Sequence, residues 1–248
     1  MTDVKKYIDE KTKTGTMHIT LLDPDPAKLN VESAKVIAKR LQEAGTDAFM
    51  IGGSTGVTTE NLSAIATAVK EATGLPAIYF PSDVHAISDK VDAMFFMSIL
   101  NSTDPAFITH FHAKAAPFIK KLRIPTIPMA YIIVEPGMTV GRVAKAALIK
   151  RDEIDRAVGF SVAAEMMGMQ VVYLEAGSGA DKPIPPEMIA AVKKNLDIPL
   201  IIGGGIRTPE AAAAAREAGA DIIVTGTFVE QCSDEDLLTA VVKAAKGI

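Results

Sequence analysis

Pro199-Leu200-Ile201-Ile202-Gly203-Gly204-Gly205-Ile206-Arg207-Thr208-Pro209 and Asp221-Ile222-Ile223-Val224-Thr225-Gly226-Thr227 decide the fold. In each stretch a short β-branched run stops at glycine. A wholly apolar strand of this length suits a parallel sheet buried on both faces. Parallel strands need crossover connections, usually helical. Thr208 and Pro209 read as the N-cap and first residue of such a helix, running to Ala218. The same alternation extends back to the N-terminus. Thr16–Leu22, Ala48–Ile51, Ala77–Phe80, Ala93–Ile99, Thr126–Val134, Gln170–Glu175, Pro199–Ile202 and Asp221–Thr225 read as strands one to eight. Val31–Ala44 (stopped by Gly45), Asn61–Ala72, Pro105–Leu122, Asp152–Met167 and Glu187–Asn195 read as helices. A last helix is expected to be capped at Ser233, with Asp236 at the capping-box position. Eight strands in this order predict an α/β chain closed into a TIM-type (β/α)8 barrel.

Two connections depart from the rule. Only Ser82 to Asp92 links strands three and four, which leaves room for a turn or two but no full crossover helix. The barrel is therefore expected to be modified there, with an irregular short crossover. Glu135–Lys150 is a long polar excursion after strand five. A loop of that length in a compact domain serves function or subunit contacts.

No low-complexity linker interrupts the 248 residues, so residues 1–248 read as a single domain. The net charge of −4 argues against a nucleic-acid partner. It leaves an anionic small substrate open, because backbone N–H groups and a metal ion bind phosphate without net basicity. One cysteine, Cys232, forms no internal disulfide, and a cytoplasmic location is expected. Neither a signal peptide nor a run of roughly 18 apolar residues is seen, so membrane contact would be peripheral.

The candidate chemistry gathers at strand ends. Gly203-Gly204-Gly205 and Gly226-Thr227 follow strands seven and eight, where barrels recurrently bind phosphate. Glycine lets backbone N–H groups approach an anion, and the next helix N-terminus adds its dipole. Strand six ends Tyr173-Leu174-Glu175-Ala176-Gly177-Ser178-Gly179. Period-two alternation puts Tyr173 and Glu175 on one side and Leu174 on the other. Strand one ends Asp23-Pro24-Asp25-Pro26, which reads equally as a Mg²⁺ ligand or an acidic turn. Gly52-Gly53-Ser54-Thr55-Gly56, after strand two, reads as an anion nest, a hydroxyl metal ligand or a plain turn. The four histidines are read as structural or surface groups; His110 and His112, two apart on a helix, point in different directions. No predicted strand holds a lysine, which weighs against a Schiff-base aldolase.

Together with Phe95-Phe96-Met97-Ser98-Ile99-Leu100-Asn101-Ser102 and Val134-Glu135-Pro136-Gly137, these motifs resemble the geranylgeranylglyceryl phosphate synthase family over essentially the whole chain. The resemblance implies a Mg²⁺-dependent prenyltransferase. It would join sn-glycerol 1-phosphate to geranylgeranyl diphosphate, forming the first ether bond of archaeal-type lipids, and would work as a homo-oligomer. It carries the metal to Asp23 and Ser54. It carries glycerol phosphate to Tyr173, Leu174, Glu175, Ala176, Gly177, Ser178, Gly179, Gly203, Gly204, Gly205, Gly226 and Thr227. Catalytic roles fall to Glu175, Tyr173 and Asp23. Family members usually place a base after the second acid of strand one, where this chain has Pro26 and then Lys28. A phosphosugar isomerase or lyase on the same barrel, or a synthase using a longer prenyl donor, are the competing readings.

Overall fold

The computed structural model describes residues 3–53, 56–81, 86–232 and 234–248. Eight parallel strands close into one barrel in chain order. They are β1 (Met17–Leu22), β2 (Ala48–Ile51), β3 (Ala77–Tyr79), β4 (Ala93–Ile99), β5 (Thr126–Ile133), β6 (Val171–Glu175), β7 (Leu200–Gly203) and β8 (Ile222–Thr225). Closure is made by β1 against β8, where Met17 stands opposite Ile222. The described part of the β3–β4 crossover contains no helix. The short segment is too brief for one.

Alternation along each strand sorts side chains into two layers. Met17, Ile19, Met50, Ile78, Phe95, Met129, Tyr131, Tyr173, Ile201 and Val224 fill the interior. Their neighbours in sequence, such as Ala130, Ile132, Leu174 and Ile202, pack outward beneath the helices. An unpredicted helix, α1 (Val4–Thr14), adds Val4 and Ile8 to the interior cluster. Its Tyr7 hydroxyl donates to the Asp47 carbonyl. This amphipathic helix is short and mostly polar, so its apolar signal in the sequence is weak.

The helices follow their caps. α2 (Val31–Ala44) starts at Asn30, whose side chain accepts from the Ser33 N–H, and ends at Gly45 in the left-handed region. α3 (Thr59–Thr73) opens with a Thr58–Asn61 capping box. The helix after β4 begins with a wide π turn over Ala106–His110, then continues as α4 (Phe111–Leu122) around Pro117. The Glu135–Lys150 excursion folds back on the barrel. It contains α5 (Met138–Val143), and Val134 bridges to Ile149. α6 (Ile154–Met166), α7 (Pro186–Lys193) and α8 (Pro209–Glu217) complete the outer layer, α8 capped by Thr208 as expected. A short α9 (Thr227–Gln231) follows β8 directly. The cap of α10 (Glu235–Lys246) is Asp234, whose side chain accepts from Asp236 and Leu237. This corrects the expected cap at Ser233, which lies outside the described residues. Aspartate supplies the same acceptor one residue later.

Candidate active site

The C-terminal ends of the strands surround two connected depressions. The smaller, about 50 Å³, lies between the ends of β6, β7 and β8. Tyr173, Glu175, Ser178, Gly204, Gly205 and Thr227 face it. The larger, about 260 Å³, runs from Asp23 toward Met94, Phe96 and α4. Leu21, Glu175, Ser178 and Thr227 border both, so the depressions meet at Glu175.

Glu175 ends β6, directly opposite Ile133 of β5 and Gly203 of β7. Its side chain is only 6% exposed. Oε1 accepts the Gly177 N–H at 2.7 Å. The Tyr173 and Tyr131 hydroxyls lie beside the carboxylate and favour its charged form. Burial lifts its pKa above the ordinary glutamate value; Tyr173, Gly177 and Tyr131 pull it partly back. Burial first, and then the glutamate charge, push both tyrosines well above their usual pKa. They therefore stay protonated donors at neutral pH.

Tyr131 was not singled out in the sequence. It sits opposite Tyr173 in the β5–β6 ladder, with ring centroids 5.0 Å apart. Strand parity was the available signal: Ile127, Met129, Tyr131 and Ile133 all face inward. Leu174 and Ala176 are not brought to the mouth. Both side chains lie in the outer layer. The Ala176 N–H donates to the Gly203 carbonyl, and its carbonyl accepts from Gly137.

Glycine is needed at several positions by close approach. A Cβ on Gly204, at φ +81°, would fall 2.4 Å from Glu175 Oε1. A Cβ on Gly53 would fall 2.1 Å from Asp23 Oδ1. Gly203 belongs to β7 itself, and its missing side chain leaves room for the Tyr173 hydroxyl. Across the small depression Ser178 Oγ and Thr227 Oγ1 hydrogen-bond each other. Arg207 Nη2 holds the Gly179 carbonyl at 2.9 Å, and its guanidinium adds a cation to the glycine turns.

Asp23 follows β1 at the start of the larger depression. Its Oδ1 accepts the Asp25 N–H at 3.1 Å. Its Oδ2 is paired with Lys28 Nζ, and this pairing raises the lysine pKa. Among the described residues, no three His, Cys, Asp or Glu side chains form a metal cluster. Mg²⁺ does not demand one, because it commonly takes one or two carboxylates and fills its shell with water and substrate phosphate. Asp23 suits that mode. Ser54, the expected second ligand, lies outside the described residues.

The remaining histidines divide as their surroundings dictate. His18 is fully buried between Thr46 Oγ1 and Thr225 Oγ1, and burial drops its pKa to about 3. It is a neutral structural group. His112 stands edge-on to Phe96 in the wall of the larger depression.

Residues 6–245 match the PcrB family. The chain belongs to the PcrB family. A relative from Thermococcus gammatolerans, a geranylgeranylglyceryl phosphate synthase, is 52% identical over 92% of this chain and 90% of its own. Like that relative, this PcrB-family chain is a prenyltransferase. A crystal structure of (S)-3-O-geranylgeranylglyceryl phosphate synthase from Thermoplasma acidophilum, in complex with sn-glycerol-1-phosphate, superposes with a TM-score of 0.95. It is 43% identical and covers all of both chains. An N-acetylmannosamine-6-phosphate 2-epimerase from Clostridium perfringens, at TM-score 0.55 and 16% identity, shares the fold alone; the match covers 86% of this chain and 87% of that one. No helix among the described residues is long and apolar enough to cross a membrane.

Proposed function

We propose that this PcrB-family protein joins the primary hydroxyl of sn-glycerol 1-phosphate to geranylgeranyl diphosphate, with Mg²⁺, and releases diphosphate. One observation carries the reading. A small depression ringed by glycine turns and by Tyr173, Ser178, Arg207 and Thr227, fit for a phosphate and hydroxyls, opens at Glu175 into a larger trench walled by Met94, Phe96, Met97, Ala115 and Ile119. A phosphosugar isomerase would have no use for that trench. A long isoprenoid tail fills it, and Met and Phe adapt to such a chain.

The chemistry follows from the residues. The phosphate rests on the Gly204–Gly205 and Gly226–Thr227 turns, beside Arg207. Tyr173 and Glu175 orient the glycerol hydroxyls. As the hydroxyl oxygen bonds to the allylic carbon, the carbon–oxygen bond to diphosphate breaks. The hydroxyl proton passes to the Glu175 carboxylate, whose raised pKa suits it to hold one. A divalent cation on Asp23 would supply charge neutralisation for the departing diphosphate. The buried walls keep water from competing for the allylic carbon.

The test is incubation with glycerol 1-phosphate and labelled prenyl diphosphates of several lengths, with Mg²⁺ or with chelator. The expected result is an ether product from the C20 donor, lost with chelator and in Asp23→Asn. Preference for a longer donor would reassign the donor but keep the chemistry. Turnover of a phosphosugar without any prenyl diphosphate would overturn the assignment. The proposal includes a homo-oligomer in the cytoplasm, with peripheral membrane contact to collect the donor; sedimentation and vesicle flotation test those parts.

A further inference from the structure

Lys28 lies where two carboxylates meet. Its ammonium pairs with Asp23 Oδ2. Glu230, on α9, stands close enough for its charge to act on both Lys28 and Asp23. All three residues line the trench. The Asp23 side chain is 7% exposed and that of Lys28 46%. The carboxylate is thus enclosed, while the lysine side chain reaches water. α9 packs against β1 and begins immediately after Gly226, so Glu230 also links the phosphate turn to the Asp23 turn.

An ammonium on a nearly buried carboxylate competes with any other cation for the same oxygens. Displacing it from Asp23 deprives the ammonium of its counter-ion. A second carboxylate within reach removes that obstacle. We propose that Glu230 is a positioning residue: it receives Lys28, so that Lys28 caps Asp23 until a divalent cation takes its place. This rests on the reading that a divalent cation binds Asp23.

The experiment measures Mn²⁺ binding to the full-length protein without substrates, by electron paramagnetic resonance of the free ion. Wild type, Lys28→Met, Glu230→Gln and the double variant are compared, with thermal melts to confirm folding. Lys28→Met is expected to bind Mn²⁺ about tenfold more tightly, and Glu230→Gln several-fold more weakly. In the Lys28→Met background, Glu230→Gln is expected to change affinity by less than about twofold, because no lysine remains to be received. Equal weakening in both backgrounds would make Glu230 a plain distant charge and overturn the proposal. So would unchanged affinity in Lys28→Met. Absence of Mn²⁺ binding in wild type and Lys28→Met alike would remove the metal reading itself, and the proposal with it. If Glu230→Gln fails to fold, Glu230→Asp keeps the charge but shortens the reach. It is expected to weaken binding only where Lys28 is present.

Discussion

Glu175 is a nearly buried carboxylate, flanked by two tyrosines and accepting from one backbone N–H. Its neighbours define its shape and its proton affinity together. Glu175→Gln keeps the shape and removes the base. Turnover is expected to fall by about 10²–10⁴-fold in steady-state assays, as for loss of a general base, while the melting temperature changes little. A variant with wild-type turnover would remove Glu175 from proton transfer. Gly204→Ala acts on the same group by sterics. Its methyl collides with Glu175 Oε1 and with the Gly177 nitrogen at 2.8 Å. A displacement of about 1 Å at the reacting centre costs on the order of 100-fold, so kcat/KM for glycerol phosphate should drop by about that factor. Unaltered kinetics would show that the turn relaxes freely.

Elements carry the next level of control. Asp47, between α2 and β2, ties both chain ends to the base of the barrel. Its carboxylate accepts from Lys11 of α1 at 3.0 Å, from Lys246 of α10 at 2.6 Å and from the His18 N–H at 3.0 Å. The carboxylate is 5% exposed, yet Lys11 is 42% exposed and partly screened by water. Asp47→Asn should therefore cost roughly 2–3 kcal/mol in urea unfolding. Turnover per folded molecule should be unchanged, since the network lies at the end away from the site. At the other end, Ala115 of α4 faces the trench. Ala115→Phe fills part of it. Long prenyl donors should lose turnover by about tenfold or more, by overpacking of a fitted cavity, while short donors are spared. Equal effects on all donors would place the tail elsewhere.

For the molecule as a whole, acid is a lever with a known sign. Folded His18 has a pKa near 3, against an ordinary value of 6.5. Below pH 6.5 the unfolded chain therefore binds a proton that the folded chain refuses. Stability is lost as pH falls toward 3, with a slope approaching about 1.4 kcal/mol per pH unit. Half-buried His112, its pKa also lowered by burial, adds in the same direction. Melts between pH 7 and 5 should show a falling midpoint, and the slope should shrink in His18→Gln. Glu175 works oppositely. Its raised pKa means that the folded state holds the proton more tightly, so its burial opposes folding above that pKa and ceases to do so on acidification. The difference in slope between wild type and His18→Gln separates the two.

The strand sequence alone determined the barrel. Apolar runs stopped by glycine, and capped helices between them, state parallel pairing locally, and eight repeats leave closure as the natural outcome. The same local signals exposed Asp23, Tyr173, Glu175 and the two glycine turns, because strand ends and parity are properties of neighbours in the chain. Tyr131 against Glu175, and Glu230 beside the Asp23–Lys28 pair, were decided only by the tertiary structure. Tyr131 and Glu175 come from neighbouring strands and Glu230 from a helix after β8, and what they face is set by barrel closure and helix placement. The polar excursion after β5 shows the same limit. Its composition reads as a loop, yet Thr139, Val140 and Ala144 become a wall of the trench once β5 and β6 are in register. Local periodicity fixes which way a side chain leaves its own backbone; only packing fixes what waits there.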